Sequence, residues 1–73
     1  MNNHIETMEK ELSELVEKKL KLGLFAASAD FKELDDSERL NIMQQLWLMV
    51  GYSDVLELRI ENAKREPVTI GSL

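Results

Sequence analysis

Three side chains that are well suited to binding ligands recur every seven residues in the second half of the chain. Gln45 offers an amide, Tyr52 an aromatic face with a hydroxyl, and Arg59 a planar cation. Residues seven apart in an α-helix lie along one line of its surface, so we call the three the Tyr52 stripe. Stacking, a bidentate guanidinium and an amide together suit a ligand that holds both a base and a phosphate. The spacing therefore predicts a ligand site.

Further cations lie elsewhere in the chain, where assembly of subunits could bring them near the stripe. Arg39 precedes the stripe, and Lys18 and Lys21 belong to a basic cluster in the first half of the chain. We include these three among the candidate ligand-binding residues. In the alternative interpretation, Tyr52 and Arg59 only cover the rim of a helix seam, and Arg59 pairs with a glutamate.

The sequence contains no signature of catalysis. It lacks a glycine-rich phosphate loop, a nucleophile elbow, an HExxH motif and any cysteine. Its many carboxylates follow helical spacing, which is typical of a solvated surface rather than of acid–base catalysis. The single His4 cannot form a transition-metal site without carboxylate partners. We expect a protein that is not an enzyme and has no cofactor or metal.

Two helices are predicted to position the stripe. Steps of four and three residues connect a set of mostly apolar positions in the second half of the chain: Ile42, Leu46, Met49, Ser53, Leu56, Ile60 and Ala63. The same spacing connects Ile5, Met8, Leu12, Leu15, Lys19 and Leu22 in the first half. This is the seam pattern of packed helices. It predicts an all-α helical hairpin with a short connector.

Capping and breaking residues indicate where these helices begin and end. Asn3 with Glu6, and Asp35 with Glu38, have capping-box spacing at the two expected helix starts. Pro67 cannot continue the second helix. We expect one domain over residues 1–73, made of a helix over about 4–27, a connector over 28–36, a helix over about 37–65 and a tail over 66–73.

Two glycines leave the local structure open. Gly23 either ends the first helix or lies inside it at a cost of about 1 kcal/mol, and the apolar residues 24–27 favour continuation. Gly51 lies in the middle of the second helix. There it either lets another backbone approach closely or marks a slight bend.

The second helix is apolar on nearly all sides around Trp47, so its seam partner cannot cover it. A domain of 73 residues without disulfides also tends to need oligomerisation for stability. We therefore predict a homo-oligomeric helical bundle, a dimer or larger. The expected interface residues are Met43, Leu46, Trp47 and Val50.

Charge and hydropathy narrow the range of partners. The net charge of −5 argues against general binding to the phosphate backbone of nucleic acids. No stretch approaches the ~20 apolar residues of a membrane span, and the polar N-terminus differs from a signal peptide. We expect a cytoplasmic protein.

The connector and second helix carry a family resemblance. The residues concerned are Leu34-Asp35-Asp36-Ser37-Glu38-Arg39, Gln45-Leu46, Met49, Tyr52, Val55-Leu56 and Arg59-Ile60. With them, about residues 10–62 resemble a family of small, mostly uncharacterised tailed-phage proteins that has members in crAss-like phages. The resemblance implies a helical phage accessory protein of the host cytoplasm. It also implies that Gln45, Tyr52 and Arg59 match recurrent polar positions.

The resemblance leaves two classes of function open. One similar-looking group consists of oligomeric helical sponges that trap the cyclic nucleotide messengers of bacterial immunity. On this basis we predict an anti-defence protein that sequesters a small anionic nucleotide signal at an intersubunit site. The alternative is a protein-interaction module whose acidic surface binds and inhibits a host defence or nucleic-acid-handling protein. A structural oligomer without a ligand is the third interpretation.

Overall fold

The structure is a computed structural model that describes residues 2–65, with side chains from residue 4 onward. It contains three helices: α1 (Asn2–Ala26), α2 (Ala29–Lys32) and α3 (Asp36–Lys64). No strand occurs among the described residues, so the predicted all-α class is confirmed. α1 and α3 pack against each other, and early residues of α1 meet late residues of α3. The two long helices therefore form the predicted antiparallel hairpin.

The helix ends differ from the expected ends by one or two residues. α1 begins at Asn2, so Asn3, the predicted N-cap, lies inside the helix. Gly23 also lies inside α1, and the N–H of Ala27 donates to the carbonyl oxygens of Gly23 and Leu24, at 3.2 Å each. Differences of this size are common because helix ends fray. The expected tail over 66–73 lies outside the described residues.

The connector is ordered by two capping side chains. The Ser28 hydroxyl accepts a hydrogen bond from the N–H of Phe31 at 3.3 Å and so caps α2. The Asp35 carboxylate accepts from the N–H of Glu38 at 2.8 Å and caps α3, at the spacing seen in the sequence. The rings of Phe25 and Phe31 meet edge to face, with their centroids 6.1 Å apart. These contacts order the closed end of the hairpin, where the chain turns from α1 to α3.

The predicted seam forms the interior. Leu56 is fully buried, and it forms the centre of the core with Met8 and Ile60. The buried residues of α3 are Ile42, Ser53, Leu56 and Ile60, and all four belong to the predicted seam. The remaining seam positions of α3 are half-buried. The period of the apolar positions therefore identified the packed face of α3 correctly.

One layer of the seam is polar. The Lys19 ammonium donates to the Ser53 hydroxyl at 3.3 Å, and that hydroxyl donates to the carbonyl oxygen of Val50 at 2.9 Å. Ser53 is only 1% exposed, so these bonds satisfy a hydroxyl that burial would otherwise penalise. The lysine in the seam of α1 is thus matched by the serine in the seam of α3. This pairing helps to fix the register of the two helices.

The hairpin leaves a large apolar surface uncovered. Trp47 is 76% exposed, although it is the largest apolar side chain in the protein. Helical spacing places three further exposed apolar residues of α3 near Trp47, namely Leu40, Met43 and Val50. Three exposed apolar residues of α1 line a groove with Leu46 on this flank: Val16, Leu20 and Leu24. We call these exposed residues together with Trp47 the Trp47 patch. Of the helices in the described part of the chain, none combines the length and the apolar character that crossing a bilayer requires.

Candidate functional site

The Tyr52 stripe lies on the surface of α3, beside the seam. Gln45, Tyr52 and Arg59 are all exposed, and Tyr52 retains 46% of its accessible surface. At 1.5 Å of helix rise per residue, neighbouring members are separated by about 10 Å and the two ends by about 21 Å. A small ligand on one chain can therefore contact two neighbouring members but not all three.

A shallow groove between α1 and α3 begins at one end of the stripe. Its volume is about 360 Å³, and its lining consists of Lys18, Lys21, Leu22, Phe25, Gln45 and Met49. We call it the basic groove, because its charged lining residues are both lysines. It unites three of the predicted ligand residues, namely Lys18, Lys21 and Gln45. From the sequence we expected that assembly of subunits could bring these lysines near the stripe; in the structure they line one groove with Gln45 within a single chain.

The basic groove has polar groups that remain available for a ligand. The Lys21 ammonium lies 3.8 Å from the Glu17 carboxylate, and both side chains are largely exposed. Such a pair contributes little stability in water and leaves the ammonium accessible. Between residues 4 and 65, no ion pair or side-chain hydrogen bond engages Lys18 or Gln45. Leu22, Phe25 and Met49 supply an apolar surface on which a base could lie.

Arg59 lies away from the basic groove of its own chain. It is exposed on α3, two heptads beyond Gln45 and toward the open end of the hairpin. In the alternative interpretation Arg59 pairs with a glutamate, but no such pair occurs within the described residues. The charge of its guanidinium is therefore available to a ligand or to another molecule.

Arg39 lies at the connector, where it joins three segments. Its guanidinium donates to the carbonyl oxygens of Lys32 and Leu34, at 2.8 Å each, and forms an ion pair with Asp36. It satisfies one carbonyl group at the end of α2 and one just after it, and fastens both to the first turn of α3. Arg39 is half-buried and is not among the residues that line the basic groove. The structure thus gives it a role in the fold and separates it from the other candidates.

The predicted interface residues lie on the other flank of α3. Met43, Trp47 and Val50 belong to the Trp47 patch, whereas Leu46 is half-buried in the seam. Leu46 lines a second groove of about 420 Å³ with Val16, Lys19, Leu20, Gly23 and Leu24. The sequence interpretation assigned only α3 residues to the interface and did not consider the exposed apolar residues that α1 contributes to the same flank. The four-residue spacing of Val16, Leu20 and Leu24 is the signal that could have revealed them.

A third groove lies at the open end of the hairpin and has the opposite charge. Its volume is about 600 Å³, and its lining consists of Glu9, Leu12, Ser13, Val16, Glu57, Ile60, Glu61 and Lys64. We call it the acidic groove. Its only cation, Lys64, already pairs with Glu9 at 2.8 Å. The larger groove therefore repels anions, and among the described side chains no His, Cys, Asp and Glu cluster is suited to holding a metal ion.

Comparison with known proteins gives one family. No curated protein and no solved structure matches the chain. The sequence model of the Sequestin family matches residues 2–62, which include α1, α2 and nearly all of α3. The match contains the basic groove and the complete Tyr52 stripe, whereas the resemblance to tailed-phage proteins stays a prediction. Since most of its length fits the family model, the chain belongs to the Sequestin family.

Proposed function

We propose that this protein binds a small anionic nucleotide and sequesters it, at a site that lies between the subunits of a homo-oligomer. The basic groove is the observation that carries the proposal. Lys18 and Lys21 supply charge for phosphates, Gln45 supplies an amide for a base edge, and Phe25 supplies an aromatic surface. A volume of about 360 Å³ is within the range of small-molecule sites.

The family supports the sequestering part of this proposal. The name Sequestin refers to sequestration, which requires tight binding without chemical change to the ligand. The basic groove suits that task because, apart from the ammonium groups of Lys18 and Lys21, its lining contains no residue of the types that act as a base or nucleophile: no carboxylate, histidine, serine or cysteine. We propose accordingly that the protein acts by binding and not by catalysis.

The Trp47 patch supports the oligomeric part. The exposed portions of its seven side chains amount to on the order of 700 Å² of mostly apolar surface, whereas the largest patch on a typical monomer is about 300–600 Å². This area is close to the ~800 Å² that each partner contributes to a standard interface. A second copy of the chain offers the same apolar surface and can cover the patch symmetrically.

The biological role proposed for the nucleotide rests on the resemblance to phage proteins. In this proposal the protein is a phage accessory product of the host cytoplasm, and the nucleotide is a signal of the host's immune response. Sequestration would lower the free concentration of the signal and prevent it from activating its receptor. This effect requires a number of binding sites comparable to the number of signal molecules.

Calorimetry tests the proposal directly. The purified protein is titrated with cyclic di-AMP, cyclic di-GMP, cyclic tri-AMP and cyclic ADP-ribose, with AMP as a singly phosphorylated control. We expect at least one cyclic compound to bind with Kd below about 10 μM, which corresponds to roughly −7 kcal/mol. The ligand should be recovered unchanged after release. If no compound of the panel binds within that limit, the proposal is wrong.

The acidic groove favours a second candidate function. Glu9, Glu57 and Glu61 form a negative surface that could bind a basic host protein and set the rate and specificity of that encounter. The candidate is tested by recovering host proteins on the immobilised chain at low and high salt. It predicts a stoichiometric basic partner that is released at high salt and that a Glu57→Gln, Glu61→Gln variant fails to retain.

A further inference from the structure

The outward face of α3 is nearly symmetric about Gly51 and Tyr52. Outward from this centre, Leu48 corresponds to Val55, Gln45 to Arg59, and Asn41 to Asn62. All of these residues are exposed, and their alternating steps of three and four place them on one face of the helix. An antiparallel second copy of α3 would therefore meet this face with apolar residues opposite apolar ones and polar residues opposite polar ones.

Gly51 is a second feature at the same level of α3, at the edge of this face that is nearer to Trp47. α3 continues through it, its φ is not positive, and a Cβ atom built there would have nothing within 4 Å. The fold of the single chain thus gives no reason for a residue that weakens a helix interior. A glycine at the point where two helices cross lets their backbones approach closely.

We propose that two copies of the chain pack α3 against α3 in antiparallel fashion, about a two-fold axis at Gly51 and Tyr52. Each basic groove is then completed by Arg59 of the partner subunit. This inference rests on the proposed function and specifies its site: Lys18, Lys21 and Gln45 come from one chain, and the guanidinium comes from the other. The pair contains two equivalent sites, and the two Tyr52 rings lie between them.

The register of the helices explains how Arg59 enters the site. Arg59 lies about 11 Å from the centre along α3, and Gln45 lies about 10 Å from it in the opposite direction. A two-fold axis at the centre therefore places Arg59 of the partner subunit beside Gln45. Within one chain, Arg59 is about 21 Å from Gln45, too far to reach the groove. Because the two residues are almost equally far from the two-fold axis, the same spacing brings Arg59 of the partner subunit to Gln45.

The charges of the completed site favour an anionic ligand. Three cations would converge there, and only one of them, Lys21, has a carboxylate nearby, that of Glu17 at 3.8 Å. A ligand with two phosphates would neutralise this charge and bridge the subunits, so ligand binding and subunit pairing stabilise each other. The face used here is on the flank of α3 opposite Met43 and Val50, so these two residues remain available for a separate contact, whereas Trp47, one turn before Gly51, lies at the edge of the pairing.

Disulfide trapping tests the pairing without any ligand. The chain has no cysteine, so Leu48→Cys and Val55→Cys provide single thiols. The axis places residue 48 opposite residue 55 of the partner subunit, whereas two copies of the same residue are separated by about 10 Å, beyond the 4.4–6.8 Å Cα separation of a disulfide. After mixing and mild oxidation we expect the mixed 48–55 disulfide and little of either symmetric product. Predominant symmetric disulfides, or none at all, would overturn the pairing.

Complementation between variants tests the shared site. Arg59→Ala and the double variant Lys18→Ala, Lys21→Ala are titrated separately with the cyclic compounds named above, and then after mixing and subunit exchange. Each variant alone should bind at least tenfold more weakly than the wild type. A mixed pair has one intact site, so the equimolar mixture should regain about a quarter of the wild-type sites.

The outcomes separate this inference from the function on which it rests. If the wild type binds and the mixture regains no sites, the site belongs to a single chain and the inference is wrong while the proposed function stands. If the wild type binds no compound of the panel, the proposed function fails and the shared site fails with it. Circular dichroism of each variant checks that lost binding does not reflect lost helix.

Discussion

The basic groove and the acidic groove are lined by the same two helices, yet they carry opposite charge. The basic groove lies near the connector and has two lysines, an amide and a surface of apolar side chains. The acidic groove lies at the open end, and there a carboxylate already neutralises the single lysine. The contrast shows that charge, rather than groove size, indicates which of the two can hold an anion, because the larger groove is the acidic one.

Disrupting the seam between α1 and α3 should destroy both grooves, and with them the contrast between their charges. Leu56→Ala leaves a cavity at a position with 0% exposure and should lower the free energy of unfolding by about 2–5 kcal/mol. Urea denaturation followed by circular dichroism measures the loss. Lys10→Ala, an exposed substitution on α1, serves as the control and should change stability by less than about 0.5 kcal/mol. Equal effects of the two substitutions would contradict the assignment of the core.

The Trp47 patch should affect assembly while leaving the contrast between the grooves intact. Trp47→Ala removes the largest exposed apolar side chain and should weaken subunit association by about 2 kcal/mol or more, roughly a thirtyfold change. Sedimentation velocity over a range of concentrations measures the association constant. The helical content should remain that of the wild type, because Trp47 lies outside the core. An unchanged association constant would exclude this patch as a subunit contact.

Charge removal in the two grooves compares them most directly. Lys18→Ala with Lys21→Ala should weaken binding of the cyclic nucleotide at least tenfold, since two charge-assisted contacts are lost. Glu57→Gln with Glu61→Gln changes the same number of charges in the acidic groove and should alter affinity by less than about threefold. Lys10→Ala with Lys32→Ala controls for the lost positive charge. Calorimetry on the three double variants ranks them, and a similar loss in all three would mean that only net charge matters.

The smallest effect is expected from the ion pair of the acidic groove. Glu9→Gln removes the carboxylate that pairs with Lys64, and both partners are partly exposed. Such pairs contribute about 0–1 kcal/mol, so the midpoint of thermal unfolding should fall by less than about 8 °C. Nucleotide binding should not change. A marked loss of nucleotide affinity would show that the two grooves are coupled through the helices.

Part of the candidate site was predictable from the sequence because helical spacing is a local property. Gln45, Tyr52 and Arg59 had to share one line once α3 was helical, and Ser53 had to lie in the seam. The role of Arg39 could not be predicted in this way. Its three partners at the connector depend on how the chain turns between α2 and α3. The grouping of Lys18 and Lys21 with Gln45 likewise depends on a contact between distant segments.

By itself, the sequence determined the all-α class, the seam of each helix and the cap at Asp35. These features follow from the period of apolar residues and from side chains that bond to nearby backbone, and both act over a few residues. Only the tertiary structure decided which charges share a groove. That depends on the antiparallel register of α1 and α3, which the Lys19–Ser53 layer and the core around Leu56 hold in place. If α1 shifted by one turn along α3, the lysines would move about 5 Å relative to Gln45, while the spacing within each helix would stay unchanged.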